Sequence, residues 1–254
     1  MQIVMIGTGN VATVLLKKLK GAGHTIVQVY GRNPSAAAAL AAQYNALHCS
    51  QWKDIDASAA LYIIALSDTA LLNGEVQLQL QQQLVVHTAG AVSKNILQGV
   101  SASYGVLYPY QSIRKELDNI PPIPLLVDAN TEDGKNHLLA LATSISDQVS
   151  LAGDEERARY HLCAVMVNNF TNYLCTLAEA YCKKHGLQFT NLLPLIRETA
   201  ERLATASPAT VQTGPAIRHD EPTLQRHLQL LQQEPAMAEL YQVFSKQIMA
   251  YPWP

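Results

Sequence analysis

The sequence predicts an α/β fold, in which a doubly wound, mostly parallel sheet over residues 1–152 precedes an all-α domain over residues 153–254. Two observations predict this arrangement. Up to about residue 152, short β-rich apolar runs alternate with helix-like stretches, which is typical of a parallel sheet covered by helices. After Gly153 the strand signals largely stop and helical patterns take over.

The strands follow from short apolar runs. Between the first two, apolar side chains recur at helical spacing from Val11 to Gly21, so the chain opens with a βαβ unit. Ala36 to Tyr44 is alanine-rich and predicts a second helix, and Gln77 to Gln83 predicts a short glutamine-rich helix face. Asn119 to Pro124 predicts a stiff extended link, because its prolines block helical conformations. The predicted strands are Ile3–Ile6, Ile26–Tyr30, Leu61–Leu66, Leu84–His87, Gly105–Leu107, Pro124–Val127 and Gln148–Leu151.

The second domain is predicted to contain helices joined by one long loop. Glu155 to His185 predicts a single long helix that Gly186 terminates. Ser207 to Asp220 is rich in Pro, Gly and Thr and predicts the loop. The other predicted helices are Thr190–Ala204, Pro222–Gln233 and about Ala236–Ala250.

Composition argues against several classes of protein. The 254-residue chain is 48% hydrophobic, and its 18 basic and 20 acidic residues nearly cancel, so a small ligand is favoured over nucleic acid or an anionic membrane. The cysteines have neither C-x-x-C nor zinc-site spacing, which favours reduced thiols in a cytoplasmic protein over disulfides or a metal site. The chain enters a strand at once and has no apolar run that could cross a bilayer, so export is not expected. The four cysteines are Cys49, Cys163, Cys175 and Cys182.

A glycine-rich turn between the first strand and the first helix carries the clearest functional signal. Its G-x-G-x-x-A pattern has Gly7 for a tight turn, Gly9 for close approach of a pyrophosphate, and Ala12 for close helix packing. This combination in a βαβ unit predicts a Rossmann domain that binds a dinucleotide; the alternative is a merely tight turn. The predicted binding residues of the turn are Gly7, Thr8, Gly9, Asn10 and Val11.

The end of the second strand favours NADP over NAD. NAD-binding domains usually place an acidic residue there for the ribose 2′-hydroxyl, whereas NADP requires a cation. The stretch from Val29 to Asn33 contains no acid, and Arg32 could pair with a 2′-phosphate. We therefore predict that Arg32 and Asn33 contact NADP, with an ordinary solvated loop arginine as the alternative.

Polar and small residues follow three further strands at the edge where the cofactor would lie. Ser67 and Asp68 could line the nicotinamide half of the cleft, although either could simply cap a helix. His87 could donate a proton, although a lone histidine at a strand end is more often structural. Tyr108–Gln111 adds polar groups to the same edge. The candidate cofactor contacts here are Leu66, Ser67, Asp68, His87 and Ala89.

The long helix carries a polar stripe formed by His161, Asn168, Asn172 and Cys175, which recur at helical spacing. If this stripe faces a ligand, His161 could exchange a proton with a carbonyl or imine and Asn168 could orient the substrate. The alternative is a hydrogen-bonded domain or dimer surface. His161 and Asn168 are the predicted catalytic residues.

The loop from Thr213 to Asp220 combines a cation, an anion and an imidazole beside a turn. Arg218 could hold a substrate carboxylate or pair internally with Asp220. The predicted substrate-binding residues are Thr213, Arg218, Asp220 and His227.

Taken together, these motifs resemble the Rossmann-like NADP oxidoreductases that carry a C-terminal domain of unknown function 2520. The resemblance spans the chain and is carried by Gly7 to Ala12, Tyr108 to Gln111, Tyr160-His161 with Asn168-Asn169, and the run from Thr213 to Asp220 with His227 downstream. It implies a fold related to pyrroline-5-carboxylate reductase and the 3-hydroxyacid dehydrogenases, and a homodimer formed through the helical domain.

The sequence departs from these relatives at two places. The family commonly has Arg-Gly-Asp where this chain has Arg218-His219-Asp220, and histidine enters glycine's backbone range less easily. The 3-hydroxyacid dehydrogenases have a lysine four residues before a key asparagine, where this chain has Ala164 or Val165. Their lysine-based proton transfer is therefore not expected here.

The resulting hypothesis is an NADP-dependent oxidoreductase that moves a hydride between the nicotinamide and a small carbonyl, imine or hydroxyacid-like substrate. The rival is a non-catalytic NADP-binding sensor or assembly protein, because a fold alone does not establish an activity. Kinship with deazaflavin-dependent NADP oxidoreductases raises a third alternative, a deazaflavin partner for the nicotinamide.

Overall fold

The computed structural model describes residues 1–116 and 120–254, and Asn119 of the predicted extended link lies outside the described residues. The chain contains eight strands and nine α-helices within these ranges. The strands are β1 (Gln2–Ile6), β2 (Thr25–Tyr30), β3 (Leu47–Cys49), β4 (Leu61–Ile64), β5 (Leu84–His87), β6 (Tyr104–Pro109), β7 (Leu125–Ala129) and β8 (Val149–Leu151). The helices are α1 (Asn10–Gly21), α2 (Pro34–Ala42), α3 (Asp68–Leu72), α4 (Glu132–Ile145), α5 (Asp154–Ala164), α6 (Thr171–Lys184), α7 (Leu193–Leu203), α8 (Glu221–Leu230) and α9 (Pro235–Ala250).

All eight strands form one sheet in the order β3-β2-β1-β4-β5-β6-β7-β8. Every neighbouring pair is parallel except β6 and β7, which are antiparallel. The strand order reverses between β1 and β4, which is where a doubly wound sheet opens a crevice for a ligand. The predicted fold, a mostly parallel Rossmann sheet followed by a helical region, is confirmed.

Both faces of the sheet are buried. Along β1, Ile3 and Met5 belong to one apolar cluster, whereas Val4 and Ile6 belong to the cluster on the opposite face. The first cluster also contains the apolar faces of α1 and α4. Near-continuous apolar strands such as these are expected when helices or loops cover a parallel sheet on both sides.

Two elements of the sheet domain were missing from the prediction, and one predicted element was wrong. The short strand β3 has exposed residues at two of its three positions, so it carries no apolar run. Helix α4 carried a signal that we overlooked, because Thr131 caps it and two acidic residues open it. Gln77 to Gln83 forms no helix; backbone hydrogen bonds from Leu80 N to Val100 O and from Ala102 N to Gln81 O instead tie this segment to residues 100 and 102.

The predicted long helix is present but interrupted. Between α5 and α6, Val165–Phe170 forms a π-helical turn, a rare wide turn that is frequent at functional sites. Gly186 ends α6 in a left-handed conformation, as predicted (φ 68°). Chain contacts divide the protein into two compact units, Met1–Asn169 and Phe170–Pro254, so that α5 belongs to the unit of the sheet. The predicted functional boundary at residues 152 and 153 stays a prediction.

The second unit buries few apolar side chains. Of its residues, all of which the structure describes, Cys182, Ala216, Leu224 and Leu231 are the buried hydrophobic ones. By contrast, large apolar side chains on α6, α7 and α9 are more than one-third exposed, among them Tyr173, Leu195, Val243 and Phe244. This unit therefore presents extensive apolar surface in the single chain.

Candidate functional site

The turn after β1 is packed so tightly that two glycines are required. Gly7 has φ 123°, and a methyl group on it would lie 2.3 Å from the carbonyl oxygen of Ala65. Gly31, just after β2, lies below the turn, where a methyl group would come within 2.7 Å of Thr8 Cγ2. Backbone hydrogen bonds from Gly7 N to Tyr30 O and from Ala65 N to Ile6 O fix the three strand ends together. The sequence assigned Gly7 this role correctly.

Gly9 differs from Gly7 and Gly31, because no other atoms crowd the space around it. It is the N-cap of α1 with φ −80°, no side chain caps the helix, and a methyl group on it would meet nothing within 4 Å. The first turn of α1 contains no acidic residue. Uncapped N–H groups at the positive end of a helix suit an anion, so the residues present fit a dinucleotide pyrophosphate.

Two side chains of the turn are engaged in local contacts. Asn10 Nδ2 donates a hydrogen bond to Ile113 O at 3.1 Å, which ties the start of α1 to the segment after β6. Thr13 Oγ1 donates to Gly9 O at 3.0 Å. Val11 is partly buried against the apolar cluster of α1. Of the predicted binding residues, Gly9 and the backbone of the first turn are therefore best placed for a ligand, and Asn10 also supports the loop.

Arg32 lies at the carboxyl end of β2, as predicted, but it has a partner. Its Nη1 is 3.1 Å from Glu75 Oε2, and the Arg32 side chain is 72% exposed. An exposed ion pair of this kind is weak, so the guanidinium can exchange its partner for a phosphate at small cost. Asn33 caps α2, since its Oδ1 accepts a hydrogen bond from Ala36 N at 3.1 Å.

Ser67 and Asp68, which follow β4, were predicted either to cap a helix or to line the cofactor cleft. Ser67 is the N-cap of α3, where its Oγ accepts a hydrogen bond from Ala70 N at 3.3 Å. Asp68 is partly buried, and its charge contributes to the raised pKa of Tyr108. Leu66 packs against the cluster beneath β4. Ser67 is thus a structural cap, whereas Asp68 is close enough to Tyr108 to influence it electrostatically.

His87, at the end of β5, is completely buried and fully hydrogen-bonded. Its Nδ1 accepts from Ala89 N at 3.1 Å, which leaves Nε2 to donate to Ser93 O at 3.3 Å. Burial, reinforced by the nearby Arg157 guanidinium, lowers the pKa of His87 to about 4. The ring is therefore neutral and bound to backbone groups, which fits the structural alternative rather than a proton donor.

Tyr108 and His161 form the central polar pair of the first unit. Tyr108 Oη lies 2.9 Å from His161 Nδ1, and the two rings meet edge to face. Burial is the main cause that raises the pKa of Tyr108 to about 12, with contributions from Tyr110 and Asp68, so the phenol keeps its proton. The protonated phenol can donate to Nδ1, and an imidazole that accepts there has its own proton on Nε2. No hydrogen bond to Nε2 is made by the described residues.

A cavity of about 340 Å³ lies beside this pair. Its walls come from the segment after β6 and from the helix around the π-helical turn, which brings Asn168 and Asn169 to the cavity. The cavity is lined by Tyr108, Tyr110, Gln111, Ser112, His161, Ala164, Val165, Val167, Asn168 and Asn169. Both predicted catalytic residues, His161 and Asn168, therefore line one cavity with the predicted Tyr108–Gln111 segment.

Two residues support the pair in ways that sequence reasoning missed, although Gly90 was expected to permit the close approach of a ligand. A methyl group on Gly90 would lie 2.6 Å from His161 Nδ1 and 2.8 Å from Tyr108 Cζ, so glycine is required there for space. Arg157 is 1% exposed and binds the backbone around Gly90. Gly90 follows the flagged His87, so its position was a usable signal, whereas Arg157 lies in a run of charged residues typical of a solvated helix face.

The predicted substrate loop lies in the second unit and is ordered by its own residues. Asp220 caps α8 by accepting from Thr223 N and Oγ1 at 3.2 and 2.8 Å, and these hydrogen bonds lower the pKa of its carboxyl group. No ion pair joins Arg218 to Asp220 in the described part of the chain, and Arg218 is exposed. His219 takes the left-handed conformation (φ 53°), so the chain adopts there the geometry that glycine would favour.

A second cavity, of about 270 Å³, lies within the second unit. Thr213 and His227 line it among mostly apolar side chains, and His227 Nδ1 is 2.7 Å from Tyr241 Oη. Two of the predicted substrate-binding residues, Thr213 and His227, thus line the cavity of the second unit. The predicted catalytic residues His161 and Asn168 line the cavity of the first unit.

The fold and the glycine turn define a dinucleotide-binding Rossmann protein, and comparison with known proteins gives the family. Residues 2–90 match the family described as NADP oxidoreductase, coenzyme F420-dependent, and residues 123–248 match domain of unknown function 2520. A crystal structure from Bacteroides fragilis, of a protein proposed to be an NADP oxidoreductase, is 40% identical over 98% of both chains with a TM-score of 0.90. The chain belongs to this family of NADP oxidoreductases, and the predicted resemblance is confirmed.

More distant structures share the fold. Pyrroline-5-carboxylate reductase from Streptococcus pyogenes is 16% identical over 99% of both chains, with a TM-score of 0.64. A reductive aminase from Aspergillus terreus, solved with NADPH and ethyl levulinate, is 15% identical over 97% of this chain and 93% of that chain, with a TM-score of 0.71. No curated protein matches significantly.

These comparisons confirm NADP as the cofactor of the family to which the chain belongs. They leave the substrate open. Among the described residues, no helix is long and apolar enough to cross a membrane. The same residues form no cluster of three or more histidine, cysteine or acidic side chains that could hold a metal ion.

Proposed function

We propose that this protein is an NADPH-dependent reductase of a small imine or carbonyl compound, and that Tyr108 and His161 form its proton-delivery pair. The observation that carries the proposal is the 2.9 Å contact between Tyr108 Oη and His161 Nδ1 at the wall of a cavity in the dinucleotide-binding unit. Membership of an NADP oxidoreductase family supports the redox chemistry.

The glycine turn and the ends of the neighbouring strands would hold the cofactor. The open backbone at Gly9 and the first turn of α1 suit the pyrophosphate, and Arg32 suits the 2′-phosphate. We propose that the remaining candidate contacts at this edge also contribute to the cofactor site. They are Thr8, Asn10, Val11, Asn33, Leu66, Ser67, Asp68, His87 and Ala89.

The nicotinamide, when bound, supplies the hydride, and the protein's task is to deliver a proton. In the tautomer that accepts at Nδ1, His161 has a proton on Nε2 that it can give to the substrate nitrogen or oxygen and then regain from solvent. Tyr108, held by its raised pKa as a neutral phenol, keeps its proton and fixes the orientation of the His161 ring through the contact with Nδ1. Asn168 and the hydroxyl of Tyr110 offer hydrogen bonds that orient the substrate in the same cavity.

The imine is favoured among substrates for a chemical reason. A proton must reach a nitrogen or oxygen while the carbon receives the hydride, and an imine nitrogen is more basic than a carbonyl oxygen and accepts the proton more readily. The fold relatives include an imine reductase, a reductive aminase and pyrroline-5-carboxylate reductase, which accords with this class. For the second unit, we propose that Arg218, Thr213 and His227 bind substrate, with Asp220 fixing their loop by its cap.

We also propose that the protein is a cytoplasmic homodimer. The dimer is supported by the small number of buried apolar residues in the second unit and by the exposed Val243 and Phe244 on α9. Sedimentation of the purified chain should give twice the monomer mass, and Val243→Glu should shift the protein toward monomer. A monomeric wild-type chain at micromolar concentration would contradict this.

The catalytic proposal is tested by NADPH oxidation with a panel of cyclic imines, ketones and ketone–amine mixtures. We expect turnover of at least one imine, a loss of about a hundredfold or more in kcat for His161→Asn, and little change in NADPH affinity. The control is His137→Asn, an exposed histidine on α4 that pairs with Asp133. Turnover that survives in His161→Asn would refute the assignment. No turnover with any substrate, despite tight NADPH binding, would refute the enzyme and favour a sensor.

A further inference from the structure

A buried arginine ties α5 to the loop after β5. Arg157 Nε donates to Gly90 O at 3.2 Å, and Nη2 donates to Val92 O at 2.5 Å and to Asp154 Oδ1 at 2.8 Å. Its side chain is 1% exposed. The planar fork thus holds two carbonyl groups of one loop and a carboxylate on its own helix.

Asp154 extends this tie further along the loop. It accepts hydrogen bonds from Ser93 Oγ and from Lys94 N, the latter at 3.0 Å. These bonds and the Arg157 guanidinium lower the pKa of Asp154 to about 2 despite its partial burial. Lys94 in turn pairs with Asp128 on β7 at 2.7 Å. The loop from Gly90 to Lys94 is therefore fixed at both ends by charged groups.

The same loop, at Gly90, packs against the rings of Tyr108 and His161. Gly90 lies so close to both rings that a methyl group there would overlap His161 Nδ1 and Tyr108 Cζ. Arg157 therefore binds the carbonyl of the residue that packs against both Tyr108 and His161.

We propose that Arg157 is a positioning residue for the Tyr108–His161 pair: it seats the Gly90 backbone against both rings and so maintains the hydrogen bond between phenol and imidazole. The inference deepens the proposed function and rests on it for its catalytic meaning. The geometric claim, however, concerns only contacts within the first unit.

Holding the loop with a buried cation costs free energy unless the cation is well paired. Replacing a whole buried ion pair by apolar side chains of similar volume is often neutral or stabilising, whereas removing one partner is strongly destabilising. Nη1 of Arg157 has no hydrogen-bond partner among the described residues, which adds to that cost. The charge of the Arg157 guanidinium also reaches Tyr108, where it opposes the rise in the pKa of the phenol. It lowers the pKa of the nearby His87 as well.

The test is a set of full-length variants examined by nitrogen-15 NMR of the histidine ring. The readout is the Nδ1 shift of His161, which reports whether this nitrogen accepts a hydrogen bond, and Tyr108→Phe provides the spectrum without that bond. The test variants are Arg157→Met and Arg157→Lys. The matched control is Arg159→Met, since Arg159 lies on the same helix and pairs with exposed Glu155 at 2.5 Å.

We expect Arg157→Met to move the Nδ1 shift at least halfway toward that of Tyr108→Phe, Arg157→Lys to move it less, and Arg159→Met to leave it unchanged. Gly90→Ala gives a second test from the opposite side, because it perturbs the pair while leaving Arg157 in place. A cooperative thermal transition identifies the folded variants.

An unchanged Nδ1 shift in folded Arg157→Met overturns the proposal. Should that variant not fold, an unchanged shift in both Arg157→Lys and Gly90→Ala overturns it equally. NADPH titration of the same samples keeps the two claims separate: wild-type protein that fails to bind NADPH contradicts the proposed function, whereas the ring spectra alone decide the role of Arg157.

Discussion

Gly7 lies directly under Ala65: a methyl group on Gly7 would come within 2.3 Å of the Ala65 carbonyl oxygen. Two residues later, Gly9 faces open space. The same motif thus contains one glycine that the fold requires and one that the fold does not use.

The two glycines should therefore respond differently to alanine. Gly7→Ala combines an unfavourable φ with a backbone overlap and should lower the free energy of unfolding by about 3 kcal/mol or more. Gly9→Ala should leave stability nearly unchanged but weaken NADPH binding by about tenfold or more, because the methyl group would project into the open space proposed for the pyrophosphate. Urea denaturation and NADPH fluorescence titration measure the two effects. Wild-type affinity in Gly9→Ala would place the pyrophosphate elsewhere.

Glu75 should oppose the 2′-phosphate that Arg32 is predicted to bind. Glu75→Gln removes the competing carboxylate 3.1 Å from Arg32 and should tighten NADPH binding by about threefold to tenfold without affecting NADH. The gain should shrink at high ionic strength. Glu155→Gln, which breaks another exposed arginine pair, is the control. Equal effects on NADPH and NADH would show that Glu75 does not lie at the phosphate.

The pH dependence of stability should carry the signature of His87. Its pKa falls from 6.5 to about 4 on folding, so the unfolded chain binds more protons between these values. Stability should therefore drop by up to about 3 kcal/mol as the pH falls from 6.5 to 4. In His87→Gln that slope should largely disappear, whereas exposed His137→Gln should retain it. Urea unfolding at a series of pH values measures it, and an undiminished slope in His87→Gln would refute the assignment.

His219 should carry conformational strain that glycine relieves. At φ 53° a non-glycine residue pays a local cost of about 1–2 kcal/mol, which exceeds the extra entropy cost of about 0.5–1 kcal/mol that glycine pays on folding, so His219→Gly should raise stability by about 0.5–1 kcal/mol. His185→Gly is a useful comparison: His185 has a negative φ of −101°, so glycine relieves no strain there and the variant should be less stable. Thermal unfolding measures both, and a loss of stability in His219→Gly would mean that its side chain makes a contact worth more than the strain.

The sequence was most informative where function and fold impose a local pattern. The strand–turn–helix at Gly7 to Ala12 and the apolar strands identified the sheet, because each signal lies within a few adjacent residues. Tyr108 and His161 were also singled out, but separately. Their pairing joins residues 53 positions apart, which no local pattern encodes.

The missed features depend on contacts with distant parts of the chain. Arg157 looks like a solvated residue beside Glu155 and Glu156, and only the carbonyls of Gly90 and Val92 explain its burial. The π-helical turn at Val165–Phe170 has no composition signal that distinguishes it from an ordinary helix. Helix α4, by contrast, carried a recognisable cap at Thr131 and could have been predicted.

The central claim is that this chain binds NADP through its glycine turn and Arg32, and a fluorescence titration with NADPH and NADH tests it most directly. We predict that NADPH binds at least tenfold more tightly than NADH and that Arg32→Ala removes most of this difference while leaving NADH affinity unchanged. No binding of either dinucleotide by the folded protein would contradict the account, and a preference for NADPH that survives in Arg32→Ala would contradict the role of Arg32.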